Sequence, residues 1–181
     1  LAVLVSVPLG VIAAVHRRGP VGVAGSAVSQ LGVAVPVFWV GVLLVLVFAL
    51  RLGVLPAGGF PRTGWDDPAA AVRALALPVV TVAIAMSAVM VRYVRSATLD
   101  VLDQDYLRTA RALGYGRWHA LARHGLRNAA VPVVAILGIE LATSLLGAVV
   151  IENVFALPGL GTLLVGAVTS RDLPVVQALV L

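Results

Sequence analysis

Residues 74–91 read ALALPVVTVAIAMSAVMV, a run of 18 residues without a charged side chain. An α-helix needs about 20 mainly apolar residues to cross the hydrocarbon core of a bilayer. The apolar residues are continuous and do not alternate with polar ones as they do in spanning strands, so a helix is the structure that satisfies the backbone in lipid. Comparable charge-free runs cover residues 1–15, 19–50, 128–139, 141–151, 153–170 and 173–181.

The composition agrees with a membrane protein. Of the 181 residues, 61% are hydrophobic and 12% are charged, and the mean hydropathy is +1.07. The sequence therefore predicts an all-α, polytopic helical membrane protein, with four spans and part of a fifth. The predicted spans are residues 1–15, 28–50, 75–91, 129–151 and a last one from 173. The first and last runs look like parts of longer helices, so we expect a single transmembrane domain over 1–181 that is incomplete at both ends.

The arginines assign sides to these spans. All 13 basic residues are arginine, and nine of them lie in the segments 16–27 and 92–128. The alternate segments hold four arginines, which are partly offset by acidic residues. By the positive-inside rule, 16–27 and 92–128 are predicted to be cytoplasmic. We refer to residues 96–128 as the cytoplasmic loop.

Residues 152–172, here called the outer segment, read ENVFALPGLGTLLVGAVTSRD. Eighteen charge-free residues could cross the bilayer, but Pro158, Gly159 and Gly161 interrupt them at one end. A short helix that dips into the bilayer and returns is the preferred interpretation, and a full crossing is the alternative. Such irregular backbone is tolerated only where protein or a water-filled cavity surrounds it.

The cytoplasmic loop contains DYLRTARALGYGRWHALARHGLRNAAVP at residues 105–132. Asp105 is predicted to cap a short helix from Tyr106 to about Leu113, and Gly114 suits a left-handed stop. A helix this short is not stable alone, so it must pack on something. Its stripe of small and cationic residues allows close approach to a partner. The stripe comprises Leu107, Ala110, Arg111 and Gly114.

A second helix is predicted from Arg117 into the next span. Trp118, Leu121, Ala122 and Gly125 recur at helical spacing and form its predicted apolar face. Two interpretations of the loop remain open on spacing alone. It is either a solvated basic loop that fixes topology and touches lipid headgroups, or a docking helix for a cytosolic partner. The small residues favour docking, because a headgroup patch does not require them.

These residues resemble a known family, the integral-membrane permease subunits of bacterial ABC importers in the dipeptide and oligopeptide branch. Residues 105–134 resemble that branch's form of the cytoplasmic EAA loop, and residues 151–178 resemble its periplasmic segment. LGVLPAGGF and LALPVVTVAIA, upstream, fit the same pattern. The match covers nearly the whole chain. Two departures are Leu113, where the branch commonly has Lys, and Glu140, where members often have a neutral amide.

The resemblance implies a type I ABC importer permease core in the bacterial inner membrane, with a cytoplasmic coupling helix that sits in a cleft of an ATPase subunit. The implied partners are a second homologous permease, two cytosolic ATPases, an extracellular substrate-binding protein and the lipid bilayer, but no nucleic acid. The chain would form half of a translocation pathway for peptides or similar small solutes. Nickel chelates, glutathione and sugars are alternative substrates. The residues implied to contact the ATPase are Tyr106, Arg108, Thr109, Ala110, Arg111 and Gly114.

The pathway and its gate are assigned on the same basis. Glu140 is an ionisable residue in mid-span, where a charge is costly, so it is expected to face the bundle interior or a water-filled route. It is either a hydrogen-bonded interior acid or a pathway carboxylate that meets cations. In the outer segment, Phe155 and Leu157 are expected to plug the outer mouth, and the Pro-Gly corner to fix the bend. A simple interfacial anchor is the alternative. The candidate pathway or gate residues are Glu140, Phe155, Pro158, Gly159 and Gly161.

The sequence does not favour an enzyme. The sequence has no cysteine, no metal-ligand spacing, no phosphate-cradling loop and no nucleophile paired with a base. His16, His119 and His124 all lie among arginines on the predicted cytoplasmic side. We therefore expect no catalytic residue, metal site or cofactor in this chain, with ATP and Mg held by the partner ATPases. A membrane-embedded transferase or a membrane scaffold that does not transport are the competing classes.

Overall fold

The computed structural model of the chain describes residues 1–180. Every regular element in that range is helical, and no strand occurs in it, so the all-α prediction is confirmed. The elements are α1 (Ala2–Val15), α2 (Pro20–Ala34), α3 (Val37–Leu44) with a π-helical continuation (Val45–Arg51), a 3-10 turn (Gly64–Asp66), α4 (Pro68–Leu102), α5 (Asp105–Ala112), α6 (Arg117–Ala120) with a π-helical continuation (Leu121–Gly125), α7 (Leu126–Val154), α8 (Leu160–Thr169) and α9 (Leu173–Val180).

Two helical stretches in the described chain are long and apolar enough to cross a membrane, namely Pro68–Leu102 and Arg117–Leu145. The first contains the span predicted at 75–91. The second overlaps the span predicted at 129–151, all of which lies within α7. The helix α4 has 35 residues and is about 52 Å long, well over the roughly 30 Å of a hydrocarbon core. Its charged ends therefore extend beyond the apolar layer.

The prediction of one continuous span over 28–50 is wrong. The chain leaves the helical conformation at Val35, which is extended with φ −84° and ψ 123°. Pro36 follows it, and a proline disfavours the helical conformation in the residue before it and has no N–H to donate. The helices α2 and α3 count as a third span only if they are taken together as one broken helix. The first predicted span is α1, an apolar helix of 14 residues.

The helices group into two compact units. The first contains residues 1–35 and 83–141. Its apolar core joins α1, α4, α5 and the start of the last long helix, and polar groups also join its helices. The Ser29 hydroxyl donates to the Ala88 carbonyl oxygen at 2.8 Å, and the Ser87 hydroxyl donates to the Ala2 carbonyl oxygen at 3.3 Å. Such bonds between helices are favourable in a membrane, where water does not compete. The core side chains include Val11, Val15, Val94, Val101, Leu107 and Leu121.

The second unit contains residues 36–82 and those from Ala142 onward. Leu77, Ile151 and Phe155 are its buried centre, and side chains of α3 and its π-helical continuation pack around them. The backbone also takes part, because the Gly59 N–H donates to the Phe155 carbonyl oxygen at 2.7 Å. The assignment of residues 1–181 to a single permease domain stays a prediction.

Candidate functional site

The helix α5 has nearly the predicted bounds but does not begin as predicted. Gln104 occupies the N-cap position with extended backbone and makes no side-chain capping bond, and Asp105 is the first helical residue. The prediction that Asp105 caps the helix is therefore wrong. Its carboxylate instead accepts a hydrogen bond from Arg108 at 3.4 Å, between two exposed side chains. A pair this exposed adds little stability.

Apolar contacts fix α5 in place. Leu107 is 2% exposed and Ala110 is 7% exposed, and both belong to the core of the first unit. Two of the four residues in the predicted small-residue stripe thus face the protein's own interior. This arrangement supplies the packing that a helix of eight residues requires. It leaves Arg108 and Thr109 exposed on the rest of the helix surface, and Arg111 is exposed beside the packed face.

The end of α5 is a left-handed turn at Gly114, as the sequence predicts. Gly114 has φ +95°. The Tyr115 N–H donates to the Ala110 carbonyl oxygen at 3.2 Å, and the Gly114 N–H donates to the Arg111 carbonyl oxygen at 3.1 Å. This pair of bonds is the Schellman motif, which satisfies carbonyl groups at a helix end and favours glycine at the left-handed position. The chain can therefore turn sharply and begin α6.

The remaining residues assigned to ATPase contact lie on the outer part of α5. Tyr106 is 40% exposed, and its hydroxyl oxygen accepts a hydrogen bond from the Asn128 side chain at 3.0 Å. The Thr109 hydroxyl donates to the Asp105 carbonyl oxygen at 3.0 Å within the same helix. No local pattern singles out Asn128, which ties the start of α5 to the start of α7. The role of these residues in ATPase contact stays a prediction.

The predicted apolar face of the next helix is half correct. Leu121 and Gly125 are buried, but Trp118 is 48% exposed and Ala122 is also exposed. The backbone from Leu121 to Gly125 is π-helical. A π-turn has more residues per turn than an α-helix. Residues before and after it therefore do not share a face at the usual α-helical spacing. A periodicity drawn through this turn with 3.6 residues per turn therefore misplaces Trp118.

One ion pair in the first unit was not predicted. The Arg17 guanidinium donates to the Asp103 carboxylate at 2.8 Å, which links the end of α1 to the end of α4 across 86 residues of sequence. The hydrogen bond from Arg17 lowers the pKa of Asp103 below its ordinary value. Partial burial opposes this shift, and attraction to Arg17, Arg108 and Arg117 adds to it. Asp103 is therefore ionised at neutral pH.

The outer segment contains a short helix, α8, of ten residues. Its length of about 15 Å is half of a bilayer core. The interpretation of the segment as a dip into the membrane stays a prediction, to which this length is suited. Pro158 and Gly159 precede the helix, and Gly159 is its N-cap residue with extended backbone. The segment therefore turns at the point where the sequence places its breakers.

The start of α8 is held by Glu152, to which the sequence analysis gave no role. One carboxylate oxygen of Glu152 accepts a hydrogen bond from the Thr162 backbone N–H at 2.7 Å, and the Gly159 N–H donates to the Thr162 hydroxyl at 3.2 Å. A negative charge at a helix N-terminus is favourable, because the first amides of a helix lack partners. Glu152 thus acts as an N-cap from ten residues away.

The two glycines of Pro-Gly-x-Gly make room for this carboxylate. A Cβ added at Gly159 would collide with the Glu152 carboxylate, and one at Gly161 would lie 2.9 Å from Val149 Cα. Both positions therefore need a residue without a side chain. The order Glu, Pro-Gly-x-Gly in the sequence is explained by the close approach of Gly159 to Glu152 and of Gly161 to Val149 and Glu152.

The candidate gate and pathway residues have distinct environments. Phe155 has no exposed surface, and its ring packs beside Gly41 within the second unit. Leu157 is half-buried against the same cluster. Glu140 is half-buried in α7, within the first unit. The plugging of an outer mouth by Phe155 and the contact of Glu140 with a substrate stay predictions.

The described residues do not form a metal site, because no group of three or more His, Asp or Glu side chains lies close enough to share an ion. The arrangement instead presents two short helices that are held in different ways. These are a short helix with one packed face and one charged exposed face, and a second short helix that is pinned by a carboxylate.

Comparisons with known proteins identify the family. Residues 6–181 match the family described as "Binding-protein-dependent transport system inner membrane component". The chain is 39% identical over 180 residues to the oligopeptide transport system permease protein AppB of Bacillus subtilis (strain 168), covering 99% of this chain and 57% of that protein. It is 40% identical over 181 residues to a putative peptide transport system permease protein of Brucella suis biovar 1, covering 100% of this chain and 57% of the relative.

A third relative is named for a different solute. The glutathione transport system permease protein GsiC of Salmonella choleraesuis (strain SC-B67) is 41% identical over 180 residues, covering 99% of this chain and 56% of that protein. The chain thus spans a little over half the length of the curated relatives it matches. With its apolar helices and the family match over nearly all its residues, the chain belongs to the inner membrane components of binding-protein-dependent transport systems.

Proposed function

We propose that the chain forms half of the translocation pathway of an ATP-driven importer for peptides or similar small solutes. The family match and the names of relatives as oligopeptide and peptide permeases support this function. The proposal assigns no chemical step to the chain. ATP hydrolysis belongs to separate subunits, and this chain converts their movement into a change of access to the pathway.

The observation that carries the proposal is the construction of α5. Its inner face, Leu107 and Ala110, is fixed to the same core as α1 and α4. Its outer face is exposed and cationic. A force applied to the outer face would therefore pass into two membrane helices as a rigid-body displacement, because a packed core moves as a unit and does not deform continuously.

The partners follow from this mechanism. A second homologous permease would complete the pathway, two cytosolic ATPases would bind the coupling helices, and an extracellular binding protein would deliver the solute. ATP and Mg would be held by the ATPases. The support for these partners is the binding-protein-dependent family and the exposed face of α5.

ATPase docking is tested with a bulky substitution on the exposed face of α5. Ala110→Trp would be ambiguous, because Ala110 is also part of the chain's own core. Thr109→Trp places the same bulk on the exposed face. We expect it to weaken co-purification with the ATPase subunits about tenfold or more, since a side chain that blocks close packing at an interface centre costs over about 1.4 kcal/mol.

The matched control is Ala122→Trp, at an exposed position on the following helix. This variant is expected to keep ATPase association. Docking through α5 would be refuted if Thr109→Trp retained its ATPases as well as the control does. A screen of solute uptake with the cognate binding protein then identifies the substrate.

Glutathione is a second candidate solute, because the GsiC relative carries it in its name at 41% identity. Glu140 offers a way to compare solutes. If its carboxylate meets the ammonium group of a peptide or another cation in the pathway, Glu140→Gln will reduce uptake of cationic solutes and spare neutral ones. Equal uptake of both kinds would remove the pathway role and leave Glu140 as an interior acid.

A further inference from the structure

The cytoplasmic ends of α1 and α4, together with α5 and α6, enclose a cleft rich in arginine. It consists of two adjoining hollows of about 200 and about 410 Å³. Arg17, Arg111 and Arg117 line both hollows, and the first unit supplies every lining residue. We refer to it as the arginine cleft. Its charged lining residues are Arg17, Arg18, Asp103, Arg108, Arg111 and Arg117.

The charges in the arginine cleft do not balance. Asp103 is the acid among its lining residues, and it is paired with Arg17. Arg108 is paired with Asp105, at its own helix start. Within residues 1–180, Arg18, Arg111 and Arg117 have no carboxylate within 4.0 Å. Three guanidinium groups around one hollow repel one another, so an anion placed between them would be stabilised.

The shape of the donors favours a phosphate group. A guanidinium presents several N–H groups in a plane and pairs with phosphate oxygens in bidentate fashion. The cleft lies at the ends of apolar helices and on the side that the arginine distribution predicts to be cytoplasmic. The cytoplasmic leaflet carries anionic phospholipids, and basic pockets between membrane helices on that side bind their headgroups.

The surface that leads to the cleft distinguishes a lipid from a free phosphate ion. On α1, Leu9 is 52% exposed and Ile12 is 39% exposed. Together with His16 they follow the spacing i, i+3 and i+7, so they share one face of the helix. His16 is exposed and lines the larger hollow. An acyl chain could lie along this stripe while its headgroup occupies the cleft, whereas a free ion would make no use of the stripe.

We propose that the arginine cleft binds the phosphate of an anionic phospholipid from the inner leaflet, with an acyl chain along Leu9 and Ile12. Because Arg108 and Arg111 belong to α5, a lipid bound in the cleft joins this helix to the ends of α1 and α4. The inference depends on membrane location and on the geometry of the first unit. It does not depend on the identity of the solute or on ATPase docking.

The test measures binding of fluorescent phosphatidylglycerol to the purified, full-length transport complex in neutral detergent micelles. Arg117→Gln removes one uncompensated guanidinium group from α6, and Arg18→Gln removes another from the turn after α1. Each is expected to weaken binding about tenfold, the usual effect of losing a hydrogen bond to a charged group. Arg117→Lys keeps the charge but loses the planar donor group, so its affinity should be intermediate. Unchanged thermal unfolding shows that each variant is folded.

The matched control is Arg123→Gln, which makes the same change of net charge at an exposed arginine of the same loop that does not line the cleft. We expect it to leave phosphatidylglycerol binding nearly unchanged. An equal loss in the control would mean diffuse attraction to a basic surface and would overturn the proposal.

Two further arms separate the sources of phosphate. Phosphatidylcholine should bind more weakly than phosphatidylglycerol, because its headgroup has no net charge. Inorganic phosphate should compete only poorly, because it makes no contact with α1. If inorganic phosphate bound well and phosphatidylglycerol did not, the cleft would be a site for a soluble anion and the lipid assignment would be overturned. Binding of neither would also overturn it and would leave the arginines for a carboxylate of a protein partner.

Discussion

The two short helices α5 and α8 end in the same way but begin differently. Each ends in a Schellman motif, with a left-handed residue at Gly114 (φ +95°) and at Arg171 (φ +57°) respectively. At their starts, α5 has no side-chain cap, whereas α8 receives the Glu152 carboxylate on the Thr162 N–H. The start of α8 is therefore held by a charged side-chain cap, which the start of α5 lacks.

The difference affects how easily each segment opens locally. The helix α5 is held by Leu107 and Ala110, whose apolar contacts have no directional requirement and belong to the core that α1 and α4 share. The outer segment combines the charged cap with the fully buried ring of Phe155. Directional bonds in a partly buried site allow fewer alternatives. We expect local opening to need more free energy in the outer segment than in the cytoplasmic loop.

Phe155→Ala is the strongest test of this comparison. Removing a fully buried phenylalanine leaves a cavity, so we expect a loss of about 3–5 kcal/mol in the free energy of unfolding. Denaturant or thermal unfolding of the purified protein measures it. Phe38→Ala, at a side chain that is 43% exposed, is the matched control and should cost much less. If the two variants were equally stable, Phe155 would not be the centre of the second unit's core.

Glu152→Ala tests the remote cap. Loss of an N-cap acceptor costs about 0.5–2 kcal/mol, and the charge and partial burial of Glu152 place it in the upper half of that range. Hydrogen exchange at the first amides of α8 should also become faster. The neighbouring variant Asn153→Ala removes an exposed side chain that bonds only to its own helix, and it should have little effect.

The equivalent change in the cytoplasmic loop is Asp105→Ala. Asp105 makes only an exposed pair with Arg108, so the loss should be below about 0.5 kcal/mol. A loss as large as that of Glu152→Ala would erase the contrast between the two helix starts.

Ala156→Gly is expected to have the opposite sign. Ala156 ends α7 with φ +48°, in the same Schellman pattern that Gly114 forms after α5. A left-handed conformation costs an L-residue about 1–2 kcal/mol, and glycine avoids this cost but loses more entropy on folding. The net effect should be a gain of about 0.5–1 kcal/mol in the free energy of unfolding.

The control for this gain is Ala142→Gly, inside the same helix. There glycine has no conformational advantage and should destabilise by about 1 kcal/mol. Destabilisation by Ala156→Gly would show that the turn after α7 does not hold the left-handed conformation.

Helix ends and helix breaks can be predicted from the sequence, because neighbouring residues determine them. The predicted bounds of α5 are correct to one residue at each end. Asp105 is a residue type that favours a helix start, and Gly114 is one that favours a helix stop. The break at Pro36 also has a local cause, because proline disfavours the helical conformation in the residue before it. The reason that Trp118 was misplaced is the π-turn at Leu121–Gly125, which a fixed period of 3.6 residues does not anticipate.

Contacts between distant residues could not be predicted in this way. The carboxylate of Glu152 caps a helix that begins eight residues later, and Arg17 meets Asp103 across 86 residues. Both contacts depend on how helices pack, which no local pattern reports. Glu152 flanks an apolar run and belongs to the segment that resembles the family's periplasmic one, and Asp103 is an acid among many arginines. Their roles appear only when their partners are placed beside them.

Asp103→Asn tests the ion pair with Arg17, which gives the cytoplasmic loop a polar contact between residues far apart in the sequence, as Glu152 gives the outer segment one with Thr162. Because Arg17 lowers the pKa of Asp103 in the folded state, the pair stabilises the fold above the ordinary aspartate pKa of about 3.9. This stabilisation is lost as the pH falls through the lowered pKa. The wild type should therefore unfold at a slightly higher temperature than Asp103→Asn at neutral pH, and the difference should vanish under strongly acidic conditions. Asp100→Asn, at an exposed acid one turn earlier, should show no such convergence. A difference between wild type and Asp103→Asn that persisted unchanged into acid would mean that the contact acts through shape and not through charge, and the contrast with the outer segment would then be one of packing alone.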